Sequence, residues 1–478
     1  MEVLLRTAIV DSNRTVPKNP YPRAIQGFMS PTPPPETVLI TRHRLIWREV
    51  STQIGNTRLA HCVHLIPAWH LAGISPPTPW FSNQWLCLRQ PATEYGCTGV
   101  IMAIILSKQV SLGNSTKLNQ TDASISSGVD NLLFDCARLE AGESLLIVVE
   151  DPKTGWWHPA LGETLADIAR SRGFSVQTML VQAPGESNFV TITSAADQYD
   201  CTIFLARIGD QDRFAKVPSG KKRVVCYIRD LDMLCSDFAR ISFSAMQEIK
   251  KCVDQLLFSD REIRITCPLG TDLRGRTSLA IDREPADVSV IRFPVGIGAP
   301  VPALTFEGQV IMSGYLTPTG SRTYHPPVLK IDSPVTAKIK AGRILSFDGD
   351  DARVRMVERH YEHVSRTFDL EPYVIHSWHA GIHPGLRWTI KENADPDLWS
   401  NSVFNHPRYL HFHTCGDYAP GEISWMLRDH SVLIDDIPLW DAGWLKPENF
   451  QSTRCCLKSN TALAALYSAK QDKLESLS

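Results

Sequence analysis

The stretch Ser144-Leu-Leu-Ile-Val-Val149 decides how the first half of the chain is read. Its apolar residues run without interruption, the pattern of a strand covered on both faces in a parallel sheet. The residues that follow place Leu161, Leu165, Ile168 and Ala169 on one helical stripe that stops at Gly173. Phe174 to Val181, Thr202 to Ala206 and Val224 to Ile228 read as further strands. A helix is then expected to bury Met246, Ile249, Val253 and Leu256, with Ser244 and Gln247 forming a capping box. Strands alternating with helices define a doubly wound α/β domain over residues 128–284. The turn after the first strand, Glu150-Asp-Pro-Lys-Thr-Gly-Trp, lacks the glycines that let a backbone approach a pyrophosphate, and no P-loop occurs. This sheet is therefore expected to serve structure or assembly rather than nucleotide binding.

Working outward, residues 1–127 are rich in proline and tryptophan, as in Ser30-Pro-Thr-Pro-Pro-Pro35 and Ser75-Pro-Pro-Thr-Pro-Trp80, and hold neither period for long. They read as an irregular accessory extension. Residues 285–455 are strand-rich, and Pro-Val-Thr-Ala-Lys-Ile-Lys ahead of Ala341-Gly342 alternates strictly before a hairpin turn. With a helix expected across Ala352 to Thr367, this part reads as an α+β domain, followed by a tail over 456–478.

A chain of 478 residues exceeds what one core supports, so two or three domains are expected. With 43% hydrophobic residues, 21% charged residues and a net charge of -2, the composition is that of a soluble globular protein. Near-neutral charge without a clustered basic surface argues against nucleic acid as a partner. The apolar run Val100 to Leu106 is too short to span a bilayer, and the N-terminus lacks the pattern of a secretory signal. Twelve cysteines without a Cys-x-x-Cys pair suit reduced thiols, so a cytoplasmic protein is expected.

Seven of the fifteen histidines fall between His376 and His430. They include Ile-His376-Ser-Trp-His379-Ala-Gly-Ile-His383-Pro-Gly and His406-Pro-Arg-Tyr-Leu-His411-Phe-His413, with Glu422-Ile-Ser424 close behind. Neutral imidazole is the commonest protein ligand of a transition metal, and two imidazoles with a carboxylate make a facial set with open positions. Taken one at a time, a histidine more often caps a helix, fills a polar pocket or sits at the surface. The alternation Leu410-His411-Phe412-His413 weighs against that reading, because period two on a strand sends both imidazoles to one face.

A family becomes recognisable in four segments. They are Arg264-Ile-Thr-Cys-Pro-Leu-Gly270-Thr-Asp272-Leu, Ser333-Pro-Val-Thr-Ala-Lys-Ile-Lys-Ala-Gly342, Gly381-Ile-His-Pro384-Gly-Leu-Arg-Trp388 and Arg428-Asp-His-Ser-Val-Leu-Ile-Asp435-Asp436-Ile-Pro-Leu-Trp-Asp-Ala-Gly443. Together, over roughly residues 130–455, they resemble the 2,5-dihydroxypyridine 5,6-dioxygenases and the aminopeptidase T metallopeptidases that share their fold. The resemblance implies iron held by a histidine before the Gly-x-x-Pro turn, a residue in the next strand and a His-x-Asp pair. Strict spacing puts the first on Ser377, one residue from His376, with His379 as the other choice; the second falls near His413, and Glu422-Ile-Ser424 replaces the His-x-Asp pair. A metal set of His376 or His379 with His413 and Glu422 follows, with Fe(II) expected and Zn(II) as the alternative. Glu307 is the nearest counterpart of a peptidase glutamate, although an exposed turn is its plainer reading, and no second catalytic metal is expected.

Around that centre His383 and His411 are candidate proton relays, and Trp378, Trp388 and Ser424 are candidate substrate contacts. Cys415 reads as a small buried turn residue, and His430 as a partner of Asp429. The function expected is a mononuclear non-heme iron oxygenase acting with O2 on a small aromatic or N-heteroaromatic compound, in a homo-oligomer. The alternatives are a zinc hydrolase of the aminopeptidase kind and an inactive relative kept for binding or assembly.

Overall fold

The computed structural model describes residues 122–185, 189–211, 213, 216–278, 290–320, 322–417 and 421–469. Nearly all of the expected accessory extension lies outside the described residues. The chain divides into two compact units at Thr93 and Glu94, and every described residue belongs to the second.

The apolar run at 144 forms β1 (Ser144–Glu150), followed by β2 (Ser175–Val181), β3 (Cys201–Leu205) and β4 (Lys222–Cys226). Helix Pro159–Ser171 begins after His158, whose Nδ1 accepts from the Ala160 amide, and joins β1 to β2. Along β1, Leu145 and Ile147 enter the main core while Leu146 and Val148 enter a second one on the opposite face. That is why the run shows no alternation. Helix Phe243–Leu257 buries Phe243, Met246, Ile249, Val253 and Leu257. Its cap differs from expectation: Ser242 caps it by accepting from the Ala245 amide, and Ser244, inside the first turn, donates instead to Asp135.

Next come β5 (Ser259–Thr266), β6 (Asp272–Ser278) and β7 (Ile291–Phe293). The parallel sheet has the order β2-β1-β3-β4-β7. Order reverses between β1 and β3, so the carboxyl ends of those strands open the crevice where such sheets take ligands. Across it, Arg207 after β3 pairs with Glu150 at the end of β1 at 2.5 Å.

The second sheet adds β8 (Val301–Pro302), β9 (Glu307–Pro318), β10 (Leu329–Lys340), β11 (Arg343–Asp348), β12 (Ile375–Ala380), β13 (Tyr409–Thr414), β14 (Ile423–Arg428), β15 (Ser431–Ile434), β16 (Ile437–Asp441) and β17 (Trp444–Leu445). Its order is β17-β16-β15-β5-β6-β9-β14-β13-β12-β8, with the β10–β11 hairpin attached to β9. That hairpin turns at Ala341 and Gly342, both at positive φ, as a two-residue turn between twisted strands requires.

Two expected boundaries do not hold. Residue 284 does not separate the sheets, because β5 and β6 belong to the antiparallel sheet and β7 to the parallel one. The cause is pairing: β6 finds its ladder on β9 and β7 finds its own on β4. Position 456, the expected start of the tail, lies within helix Gln451–Ser459. Helix Thr461–Ser468 buries Leu463 and Leu466, one turn apart, and Tyr467 donates to the Ile382 carbonyl at 2.6 Å. Among the described residues no helix is long and apolar enough to cross a membrane.

Candidate metal centre

Pairing register builds the site. His379 on β12 lies opposite His411 on β13, and His413 lies opposite Ser377 on one side and Ser424 of β14 on the other. Trp378, Phe412 and Trp425 occupy the alternate positions of the same three strands and are buried in the main core. The pleat thus puts the large aromatics on one face, Trp378 edge-on to Phe306 at 6.0 Å, and the imidazoles on the other.

The three imidazoles His379, His411 and His413 converge, with one nitrogen from each lying within 4.8 Å of the others. His379 and His411 stack with ring centroids 5.1 Å apart and planes 9° apart, while His413 is tilted to both. Burial holds all three well below the ordinary imidazole range, His411 at about 3, and the neighbouring rings and Arg292 add to the effect. All three are therefore neutral at pH 7, the state a metal ligand needs.

These residues fit a metal ion. Nδ1–H of His379 donates to the Gly298 carbonyl oxygen at 3.1 Å, which leaves the lone pair on Nε2 and sets the ring's orientation. Both ring nitrogens of buried His413 and Nδ1 of His411 have no hydrogen-bond partner among the described residues. Two adjacent buried imidazoles with unused nitrogens carry a desolvation cost that coordination would offset.

The cavity beside the trio is small, about 50 Å³, and the parallel sheet supplies its other wall. Arg292 of β7, Tyr227 just after β4, and Asp210 and Arg213 after β3 line it, together with Phe404, Ser424 and Met426. Tyr227 donates to Asp210 Oδ1 at 2.6 Å, and Arg213 Nη1 lies 3.6 Å from the same carboxylate oxygen. An adjoining cavity of about 170 Å³ shares Asp210, Pro318 and Asn401 with it and is lined further by Trp156, Arg207, Arg322, Tyr324 and Asp397. Burial pushes the Asp397 carboxyl up to about 7. The parallel sheet, expected only to support structure or assembly, contributes to both cavities. No motif marked these residues, since they come from separate stretches of the chain and only the fold gathers them.

The structure brings together His379 and His413, two of the residues named for the metal set, and His411, named as a proton relay. The remaining expected ligands lie elsewhere. Glu422 is fully buried just before β14, where Arg322 Nε donates to its Oε1 at 2.6 Å, so its charge is engaged by a guanidinium. His376, at an irregularity in the β12–β13 register, contacts the Ser377 hydroxyl through Nδ1 at 2.9 Å and is outside the trio. His383 packs edge-on to Phe238 and accepts the Gly385 amide at Nδ1, away from the cavity. Ser424 lines the cavity, whereas Trp378 and Trp388 are buried without lining it. Asp429 pairs with Arg408 at 2.6 Å, which replaces the partnership expected with His430. Cys415 is a buried turn residue at positive φ, and Glu307 is exposed.

No family model matches the sequence, and no curated protein matches it. Among solved structures, the chain is similar to 2,5-dihydroxypyridine dioxygenase from Pseudomonas putida KT2440, at 12% identity and a TM-score of 0.48, over 70% of this chain and 99% of that one. It is also similar to wild-type AmpT from Thermus thermophilus, at 10% identity and a TM-score of 0.37, over 68% of this chain and 99% of that one. Both likenesses are remote, and the centre stands on its own residues.

Proposed function

We propose that this protein is a metal-dependent enzyme in which His379, His411 and His413 hold one Fe(II) ion, and that it oxygenates a small aromatic or N-heteroaromatic compound with O2. The observation that carries this reading is the meeting of three buried, neutral imidazoles, of which His413 at both nitrogens and His411 at Nδ1 have no hydrogen-bond partner among the described residues. Fe(II) held by three protein ligands supplies redox chemistry and open positions for O2 and for adjacent substrate oxygens.

The protein's own residues do the rest. Gly298 holds His379 in one tautomer, and the Phe404 ring stands edge-on to His411 at 5.7 Å, an apolar wall beside the trio. Tyr227 keeps its proton, because burial and the Asp210 carboxylate raise its pKa above the usual phenol range, and that proton is donated to Asp210, fixing the carboxylate at the cavity wall. Ser424, directly across from His413, offers a hydroxyl to orient a substrate oxygen. The adjoining 170 Å³ suits one six-membered ring, since a cavity of about 150 Å³ accepts benzene.

A zinc hydrolase is the second reading, and one observation favours it: the trio contains no carboxylate, and a three-histidine set is one that catalytic zinc uses. Anaerobic loading with Fe(II) or Zn(II), elemental analysis and oxygen-electrode assays with dihydroxylated heteroaromatics separate the two. One iron per chain with substrate-dependent O2 uptake supports the oxygenase, and zinc with peptide hydrolysis supports the other. Equal metal retention in wild type and His413→Ala would overturn the centre itself. No retention in either would leave an inactive binding role as the better account.

A further inference from the structure

Arg292 is the feature that the proposed metal centre does not account for. It lines the small cavity with the trio, its Nε is buried without a partner, and it makes no ion pair among the described residues. The cavity's one carboxylate, Asp210, is already engaged by Tyr227 and Arg213. Arg292 therefore adds to the lining a positive charge that no carboxylate among the described residues pairs, and a divalent ion would raise it further. A half-buried guanidinium whose buried Nε lacks a partner among the described residues is best satisfied by an anion. A guanidinium's Nε–Nη edge matches the two oxygens of a carboxylate through parallel N–H···O bonds.

We propose that the substrate is an aromatic acid whose carboxylate is gripped by Arg292 beside the three histidines, with its ring in the adjoining cavity. Volume divides the ligand this way. About 50 Å³ holds a few water-sized groups, enough for a carboxylate and a neighbouring oxygen, whereas the 170 Å³ next to it, walled by Trp156 and Tyr324, holds a ring. Asp210, Pro318 and Asn401 line both spaces, so one ligand can reach from one into the other. This deepens the metal-enzyme reading and rests on it for the chemistry, but not for anion binding.

The test is calorimetric titration of the full chain, metal-free and loaded with Co(II), using salicylate and its uncharged counterpart salicylamide. Wild type is expected to bind salicylate at least tenfold more tightly than salicylamide in both forms. Arg292→Met should weaken salicylate at least tenfold and leave salicylamide and Co(II) stoichiometry unchanged, and Arg292→Lys should recover part of the loss. Equal affinity for the two compounds in wild type would overturn the proposal, as would salicylate binding unaffected by either substitution. Discrimination by the metal-free protein with no Co(II) uptake would sink the metal centre and leave the carboxylate site standing. Should Arg292→Met fail to fold, the wild-type comparison and Arg292→Lys still decide.

Discussion

Acid should destabilise this protein through two histidines that take no part in the proposed centre. His383 and His406 are buried, and burial pushes each pKa down to about 3. Each also accepts a backbone amide at Nδ1, from Gly385 and Arg408 respectively, both at 3.1 Å. Protonation at Nδ1 would destroy that bond and bury a cation. Because the folded pKa lies below the unfolded value of about 6.5, this stability is complete above that value and is lost as pH falls from it towards 3. At pH 5 an unfolded histidine is mostly protonated and these two are not, which favours unfolding by about 2 kcal/mol each. The pair accounts for about 4 kcal/mol, a large share of a folding stability on the order of 5–15 kcal/mol. Urea unfolding at pH 7.5, 6.5 and 5 on wild type and on His383→Asn/His406→Asn measures it, since an Asn carbonyl can still accept the amide. The double variant should lose about 4 kcal/mol less than wild type across that range. Parallel pH profiles for the two proteins would refute the reasoning.

Two shorter predictions concern the frame of the site. A Cβ at Gly381 would stand 2.1 Å from the His406 carbonyl oxygen, and that glycine's own amide is tied to Tyr409 and its carbonyl to Trp440. Gly381→Ala should therefore cost about 3 kcal/mol or more and loosen metal retention by shifting the end of β12; wild-type thermal stability with full metal content would contradict this. Cys252 and Cys456 bring their sulfurs to 2.9 Å between helix Phe243–Leu257 and helix Gln451–Ser459. Glutathione disulfide at alkaline pH should join them with release of glutathione, seen as a linked peptide in non-reducing mass spectrometry and absent in Cys252→Ser, and failure to cross-link in wild type would count against that geometry.

Much of the fold was legible wherever periodicity was strong. The uninterrupted run at β1, the helical stripe after it, the alternation in β10 and the Ala341-Gly342 turn each report a local constraint that neighbouring residues express. Boundaries between sheets were not legible. β6 and β7 are separated by a short stretch of chain yet take their ladders from different partners, and nothing within either strand states which edge it will meet.

The site divides along the same line. Sequence alone determined that His411 and His413 share a face, because strand pleating is a property of the chain itself, and the three imidazoles that converge all lie in the histidine-rich stretch it marked. Only tertiary structure decided that His379 completes the trio, since cross-strand register sets it against His411. Tertiary structure also decided that Glu422 goes to Arg322, and that Arg292, Tyr227 and Asp210 come from the other sheet to wall the cavity. Long-range pairing and burial fix those partners, and neither has a signature in the spacing of residues along the chain.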